Sequence, residues 1–534
     1  MRKYFLGASV LSYMCLLSSC QIDELGKEKL GTHSTHLVLN LGNAEYTVLE
    51  LLEDLDQESL DVDDSDQSMS ILFRDSTIYD DTESLIAISS VSNVEEFAPA
   101  EDVPSTPIDY KINIEETFVF SFPANNGEEI DSLFYSSGTL DFFMESSFKG
   151  DIDYTWVIEG TRIVETNEDL TQTQELVFAG GAVTDTYSRP LNGLKSKFYK
   201  NALDENEFAV HVTGTISFEE GTEILPSHKM TFNLAFNDPT FSKIYGYFGN
   251  DPIELQSQSI GISAFEEFSG DGLKFEDPKI LLITNNSFGM DFELSFDEIK
   301  AVSSDNSVVI FSENTSPGID GFVSSPSEEG EVKSDTVELN KQNSNINELL
   351  NSTPIKIDFD ISGVPNPISS TRDNNFLLSE SQIEVISVIE IPLQFQMDGF
   401  AVDFDFEMNL SDIKQAEKII FNIVATNEIP FTGSIDLEFV DKGGDVLYTM
   451  TDAAIIESPE LDASGKTATP EVSTSEINLD AEAIDALLNA NTIFAIANLT
   501  TFESSKDRYV KLYADYKLNI ELSIEGELTI DLDE

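Results

Sequence analysis

The sequence predicts an all-β protein, built from a tandem of antiparallel β-sandwiches with short helices only in its C-terminal part. Three observations carry this. Apolar and polar residues alternate with period two over many short stretches, as in Thr117-Phe118-Val119-Phe120-Ser121-Phe122. Turn residues separate these stretches at close spacing, as in Pro123-Ala124-Asn125-Asn126-Gly127. A pattern of strand, corner, strand and short helix then occurs twice in the C-terminal half.

The chain begins with a positive pair, Arg2 and Lys3, followed by an uncharged apolar run over residues 4–17. That run is too short for a stable membrane-spanning helix and the right size for the apolar core of a signal peptide. It closes on Leu17-Ser18-Ser19-Cys20, which resembles the lipobox of bacterial lipoproteins. The resemblance implies cleavage between Ser19 and Cys20, with acylation of the Cys20 thiol and of the new amino terminus. Several acyl chains make a stable anchor where one would bind only marginally. The acidic stretch Gln21-Ile22-Asp23-Glu24 resembles the signal that exports Bacteroidetes-type lipoproteins to the outer face of the outer membrane. The implied location is therefore the cell surface, with the periplasmic face of that membrane as the alternative.

Composition bounds the function. Asp and Glu number 99 against 29 Lys and Arg, a formal net charge of −70. Nucleic acid and anionic lipid headgroups need basic patches, so nucleic acid is excluded as a partner. The two cysteines are Cys15, inside the signal, and Cys20, so a mature chain has no thiol for a disulfide or a thiolate metal site. Its cores must then be large enough to stand without cross-links. Aromatic usage is 37 Phe and 15 Tyr with a single Trp, Trp156. Phe packs in dry cores, whereas sugar platforms favour Trp and Tyr, whose polar edges stay wet.

In chain order, residues 1–19 read as the signal and 20–35 as a tether. His33 and His36 near its end have no third metal ligand beside them. Strands start at about residue 36 with Leu37-Val38-Leu39-Asn40-Leu41, and an N-terminal β region of one or two sandwiches is expected over 36–277. Residues 53–70 read as an acidic, Ser-rich loop. Asp61, Asp63 and Ser65 occupy the first three EF-hand positions, but the central Gly is missing and Leu72 stands where the bidentate Glu belongs, so an EF-hand is rejected. A looser Ca2+ site is the remaining cofactor candidate, with Asp61, Asp63, Asp64 and Asp66 as ligands. Residues 138–148 and 151–158 are expected to pair as neighbouring strands. Lys243-Ile244-Tyr245-Gly246-Tyr247-Phe248-Gly249 reads as a bend whose rings pack inward, with a ligand lip as the alternative.

The duplication divides the rest into repeat A over 278–395, a connector over 396–416 and repeat B over 417–534, each the size of one immunoglobulin-like or related sandwich. Lys279-Ile280-Leu281-Leu282-Ile283-Thr284-Asn285 matches Lys418-Ile419-Ile420-Phe421-Asn422-Ile423-Val424-Ala425-Thr426-Asn427 as a strand ending in a Thr-Asn corner. Val337-Glu338-Leu339-Asn340, followed by Ile346, Leu349 and Leu350, matches Ile477-Asn478-Leu479-Asp480, followed by Ile484, Leu487 and Leu488. Ser344 and Asp480 are the expected helix N-caps. The pairs Thr284/Thr426, Leu339/Leu479, Ile346/Ile484 and Ile383/Leu518 are offset by 142, 140, 138 and 135, a drift that small loop deletions would produce. Strands such as Val402-Asp403-Phe404-Asp405-Phe406-Glu407 alternate apolar with acidic residues, so each sheet has one dry and one acidic face. Carboxylates on the wet face also oppose strand addition at edges.

No catalytic motif is legible: no Gly-x-Ser-x-Gly, no His-Glu-x-x-His, no phosphate-binding Gly loop and no dinucleotide fingerprint. His211 lies in a strand and His228 in a Pro-Ser-His turn, neither beside a recognisable nucleophile. Asp131-Ser132-Leu133 resembles a short O-glycosylation sequon of exported Bacteroidetes-type proteins. The expectation is a non-enzymatic, membrane-anchored binding, adhesion or structural module facing an extracellular protein, glycan or lipid. One alternative is a carrier of a hydrophobic ligand, since a duplicated β unit with a short helix loosely resembles the paired halves of tubular lipid-binding proteins. A continuous apolar cavity would distinguish it. A third is a glycan-active enzyme with an acidic cleft around Trp156 and Tyr154.

Overall fold

The computed structural model describes residues 32–52, 60–86, 88–122, 128–200, 206–262, 271–314, 318–367, 375–407, 416–462, 465–506 and 508–531. The protein is all-β, in several sheets whose described pairings are antiparallel. Period-two patterning is the cause. In Lys279–Asn286 each second residue is buried while its neighbours stay half-buried. No helix among the described residues is long and apolar enough to cross a membrane. The chain divides into two compact units. One is Met1–Thr47 with Phe400–Thr500 and Lys517–Glu534, the other Val48–Gly399 with Thr501–Tyr516.

The unit holding Val48–Gly399 contains an aromatic sandwich. One layer holds Lys111–Phe122, Asn206–Phe218, Gly150–Ile163 and Asp169–Leu176. The other holds Val91–Phe97, Met230–Tyr247, Glu129–Ser146 and Val183–Pro190. The short strand Leu194–Lys197 pairs with Glu129–Ser146 on one side and Gly150–Ile163 on the other, which joins the layers into one folded sheet. Between them Phe142 stacks on Trp156 at 5.0 Å, Phe118 lies 5.6 Å from Phe232, and Phe208 meets Phe236 edge-on at 5.1 Å. Such ring pairs add about 0.5–1.5 kcal/mol each beyond their area burial. The expected side-by-side pairing of residues 138–148 with 151–158 is therefore corrected. At that level Glu129–Ser146 pairs with Val183–Pro190 and Gly150–Ile163 with Asp169–Leu176, and the two strands face each other across the core through Phe142 and Trp156.

The two C-terminal repeats build sandwiches of corresponding strand order. In the Val48–Gly399 unit one sheet runs Met69–Tyr79, Ile383–Pro392, Lys279–Asn286, Lys333–Leu339, and its partner sheet Ile253–Gly261, Lys356–Pro365, Phe292–Val302, Val308–Ile310. In the other unit one sheet runs Thr32–Thr47, Lys517–Asp531, Ala416–Asn427, Glu471–Asn478. Its partner runs from residues 400–407 of the strand Gln394–Glu407 through Thr492–Thr501 and Phe431–Val440 to Val446–Ile456. Each repeat takes a strand from the N-terminal part of the chain. Thr32–Thr47 pairs with Lys517–Asp531, and Met69–Tyr79 with Ile383–Pro392. The segment expected as tether thus becomes strand from Thr32, because its backbone completes a ladder with the other end of the chain. His33 and His36 lie in that strand, with side chains outside the described residues.

Two buried asparagines fix the matching corners. Asn286 Nδ2 donates to the Met290 and Ser324 carbonyls, each at 3.1 Å, while its Oδ1 accepts from the Phe288 N–H at 2.9 Å. Asn427 Nδ2 donates to the carbonyls of Phe431 at 3.0 Å and Glu457 at 3.1 Å, and its Oδ1 accepts from the Ile429 N–H at 2.9 Å. The true offset here is 141, one less than expected. A slip of one residue exchanges the faces of a strand, and Thr284 is buried whereas Thr426 is half-buried. The helices show the same slip. Helix Ala481–Asn489 buries Ala483, Ala486 and Leu487, not the expected Ile484 and Leu488, because Asp480 caps it by accepting from the Ala483 N–H at 2.9 Å. In helix Ile346–Leu350 the N-cap is Asn345. Ser344 Oγ instead donates to the Asn340 carbonyl at 2.9 Å.

Candidate functional site

The site grows from the short strand Leu194–Lys197, whose wedged position brings two lysines to the outer face of the aromatic sandwich. Alternate residues Leu194 and Ser196 point inward and are buried, which sends Lys195 and Lys197 outward. Cross-strand register then sets their neighbours. Lys195 lies opposite Arg162 on one side and Phe134 on the other, and Phe134 lies opposite Lys243. One row of the face thus reads Arg162, Lys195, Phe134, Lys243. The next reads Lys197, Ser132, Tyr245.

Around these rows opens a groove of about 840 Å3, the size range of small-ligand sites. Phe134, Tyr199 and Tyr245 give it aromatic surface, and Asp131, Glu159 and Asp169 give it carboxylates. Lys243 Nζ sits 4.6 Å and Lys195 Nζ 5.9 Å from the Phe134 ring centre, while Lys197 Nζ lies 5.7 Å from that of Tyr199. A cation over an aromatic face is attracted by the ring quadrupole. Glu329 holds Lys243 at 2.8 Å and accepts from the Tyr245 hydroxyl, and Asp169 holds Arg162 at 2.9 Å. Lys195 and Lys197 have no carboxylate partner among the described residues. Arg162 directly opposite Lys195 is a like-charge pair, which destabilises a sheet. Gly246 ends the site on one side. A Cβ there would collide with the Glu129 carbonyl, so only glycine allows the bulge that follows Tyr245. Tyr247 and Phe248 beyond it are buried, so the rings of the expected bend pack inward except Tyr245.

His211 borders the groove. Its Nδ1 is 3.0 Å from Thr117 Oγ1 and its Nε2 3.2 Å from Glu159 Oε2. This hydroxyl, imidazole and carboxylate form a row that sequence spacing did not show, because the three lie on separate strands. Acyl-transfer chemistry also needs N–H groups aimed at a developing oxyanion. Here Thr117 and His211 sit opposite each other within paired strands, where the backbone N–H groups serve the ladder. His228 is occupied in its turn, with Nδ1 accepting from the Leu225 N–H at 3.2 Å.

The other sequence candidates fall elsewhere. Ser19 and Cys20 lie outside the described residues. Asp61 belongs to the strand Leu60–Val62, and Asp63, Asp64 and Asp66 to the turn that follows, so the expected loop 53–70 is strand and turn from residue 60. Asp63 Oδ1 accepts from Ser65 Oγ at 2.6 Å and from its N–H at 2.7 Å, and Asp66 Oδ1 from the Ser68 N–H at 2.9 Å. These bonds hold both carboxyls below their usual range. The acids thus cap their own turn, and among the described residues no group of three or more His, Cys, Asp or Glu is placed to hold a metal. The melting temperature is expected to be the same in excess chelator as in millimolar Ca2+, measured by circular dichroism. A rise with Ca2+ that Asp63→Asn abolishes would show a metal site at this turn. Trp156 and Tyr154 are buried core residues. Burial, and then the Asp185 carboxylate that accepts from its hydroxyl at 2.5 Å, pushes the Tyr154 phenol's pKa up.

No family model matches the chain, and no curated protein matches it. Among solved structures it is similar to a "putative secreted protein" from Parabacteroides distasonis, at 14% sequence identity and a TM-score of 0.31, over 53% of this chain and 89% of that chain.

Proposed function

We propose that the protein is an exported, lipid-anchored, non-enzymatic binding protein, held in the outer membrane through Cys20 and displayed at the cell surface. The groove beside Leu194–Lys197 carries the reading. It gathers cations and aromatic rings on a sheet face, in a chain of formal net charge −70. Between Cys20 and the first described strand residue, Thr32, the chain reaches at most roughly 40 Å, so the anchor keeps the domains close to the membrane. The carrier alternative loses support because the Phe-rich strand faces are packed on one another and the groove is lined with charge.

Native mass spectrometry of the mature lipoprotein, extracted from its source cell, tests this. The expected species is the acylated chain alone or with a water-soluble adduct. An adduct that chloroform removes and that matches a lipid would overturn the reading in favour of the carrier.

A further inference from the structure

From the geometry we infer that the groove takes an acidic saccharide, one bearing carboxylate or sulfate groups. This rests on the groove being the binding surface and goes further by naming what it binds. Lys195 and Lys197 offer only hydrogen-bond donors and positive charge, so they call for anionic acceptors. Asp131 and Glu159, which line the same groove, are acceptors only, so they call for ligand donors and would repel a plain polyanion. Tyr199 and Tyr245 offer aromatic surface, the Tyr245 hydroxyl being already donated to Glu329. A sugar acid meets all three demands at once, with its acid group toward the lysines, hydroxyls toward the carboxylates and C–H faces toward the rings. Asp169 already offsets Arg162 at 2.9 Å, which leaves Lys195 opposite it as the cation of that row without a carboxylate among the described residues. The net charge of −70 does not prevent this, because at physiological salt a ligand senses charges within about 8 Å.

The test is isothermal titration of the full-length lipoprotein in detergent with tetragalacturonate, a sulfated tetrasaccharide, neutral galactotetraose and tetraglutamate. One or both acidic saccharides are expected to bind, and Lys195→Met with Lys197→Met to weaken that binding about tenfold or more, with an unchanged melting temperature. Binding of galactotetraose as tight as that of the acidic sugars would overturn the inference and leave a binding groove that ignores charge. Equal binding of tetraglutamate would overturn it in favour of an acidic peptide. No binding by any probe, or binding that the double variant leaves intact, would overturn it too. The mass-spectrometric result above would still decide the broader reading independently.

Discussion

Cys20→Ala is expected to abolish incorporation of an alkyne-tagged fatty acid completely. The other cysteine, Cys15, lies in the segment that reads as a signal peptide, so a mature chain offers one thiol for a thioether. Each buried methylene contributes about 0.8 kcal/mol to membrane partition, and a single chain of myristoyl length gives only reversible binding. Durable anchoring thus needs the thiol-linked diacylglycerol together with the chain on the amino group. In-gel fluorescence after metabolic labelling reads the result directly. A labelled Cys20→Ala protein would remove the anchor from the account, along with the compartment inferred from it.

The second large effect is at the corners. Asn427→Ala strips three hydrogen bonds from a residue that is 2% exposed, leaving the Ile429 N–H and the carbonyls of Phe431 and Glu457 without that partner. An unsatisfied buried polar group costs about 1–3 kcal/mol, so a total loss of about 3–5 kcal/mol is expected. Asn286→Ala should cost a similar amount through Phe288, Met290 and Ser324. Since the two asparagines lie in different compact units, each substitution should lower a different step of a urea unfolding curve, by about 1–2 M. A shift below about 0.5 kcal/mol at either position would mean that the corner is held by its strands and not by its asparagine.

These corners also show what the sequence made legible. The period-two strands, their acidic outer faces and the recurrence of corner and helix could be read directly. In Gln394–Glu407, for example, Phe404 and Phe406 are buried while Asp403 and Asp405 are exposed. Register could not be read to the residue, because Thr284 and Thr426 look alike as letters and differ only in which face they occupy. Pairings between distant segments were equally hidden. Nothing local in Thr32–Thr47 says that it completes a ladder with Lys517–Asp531. Most of the groove was hidden for a different reason, since its cations are few and heavily outnumbered by the acids. Residues 188–200 contain Arg189, Lys195, Lys197 and Lys200 with no Asp or Glu, in a chain with 99 acids. That local inversion of charge was the available signal. What it could not supply was the wedged strand that sets Lys195 between Arg162 and Phe134.

Labelling intact source cells with a membrane-impermeant amine reagent, and mapping the modified lysines by peptide mass spectrometry, tests surface display and the groove together. Lys195 and Lys197 are expected to react on unbroken cells and to be protected by an excess of acidic tetrasaccharide, while Lys149, a lysine outside the groove lining, stays reactive. Modification of Lys195 and Lys197 only after the outer membrane is broken would contradict surface display. Reaction unchanged by the saccharide would contradict the groove.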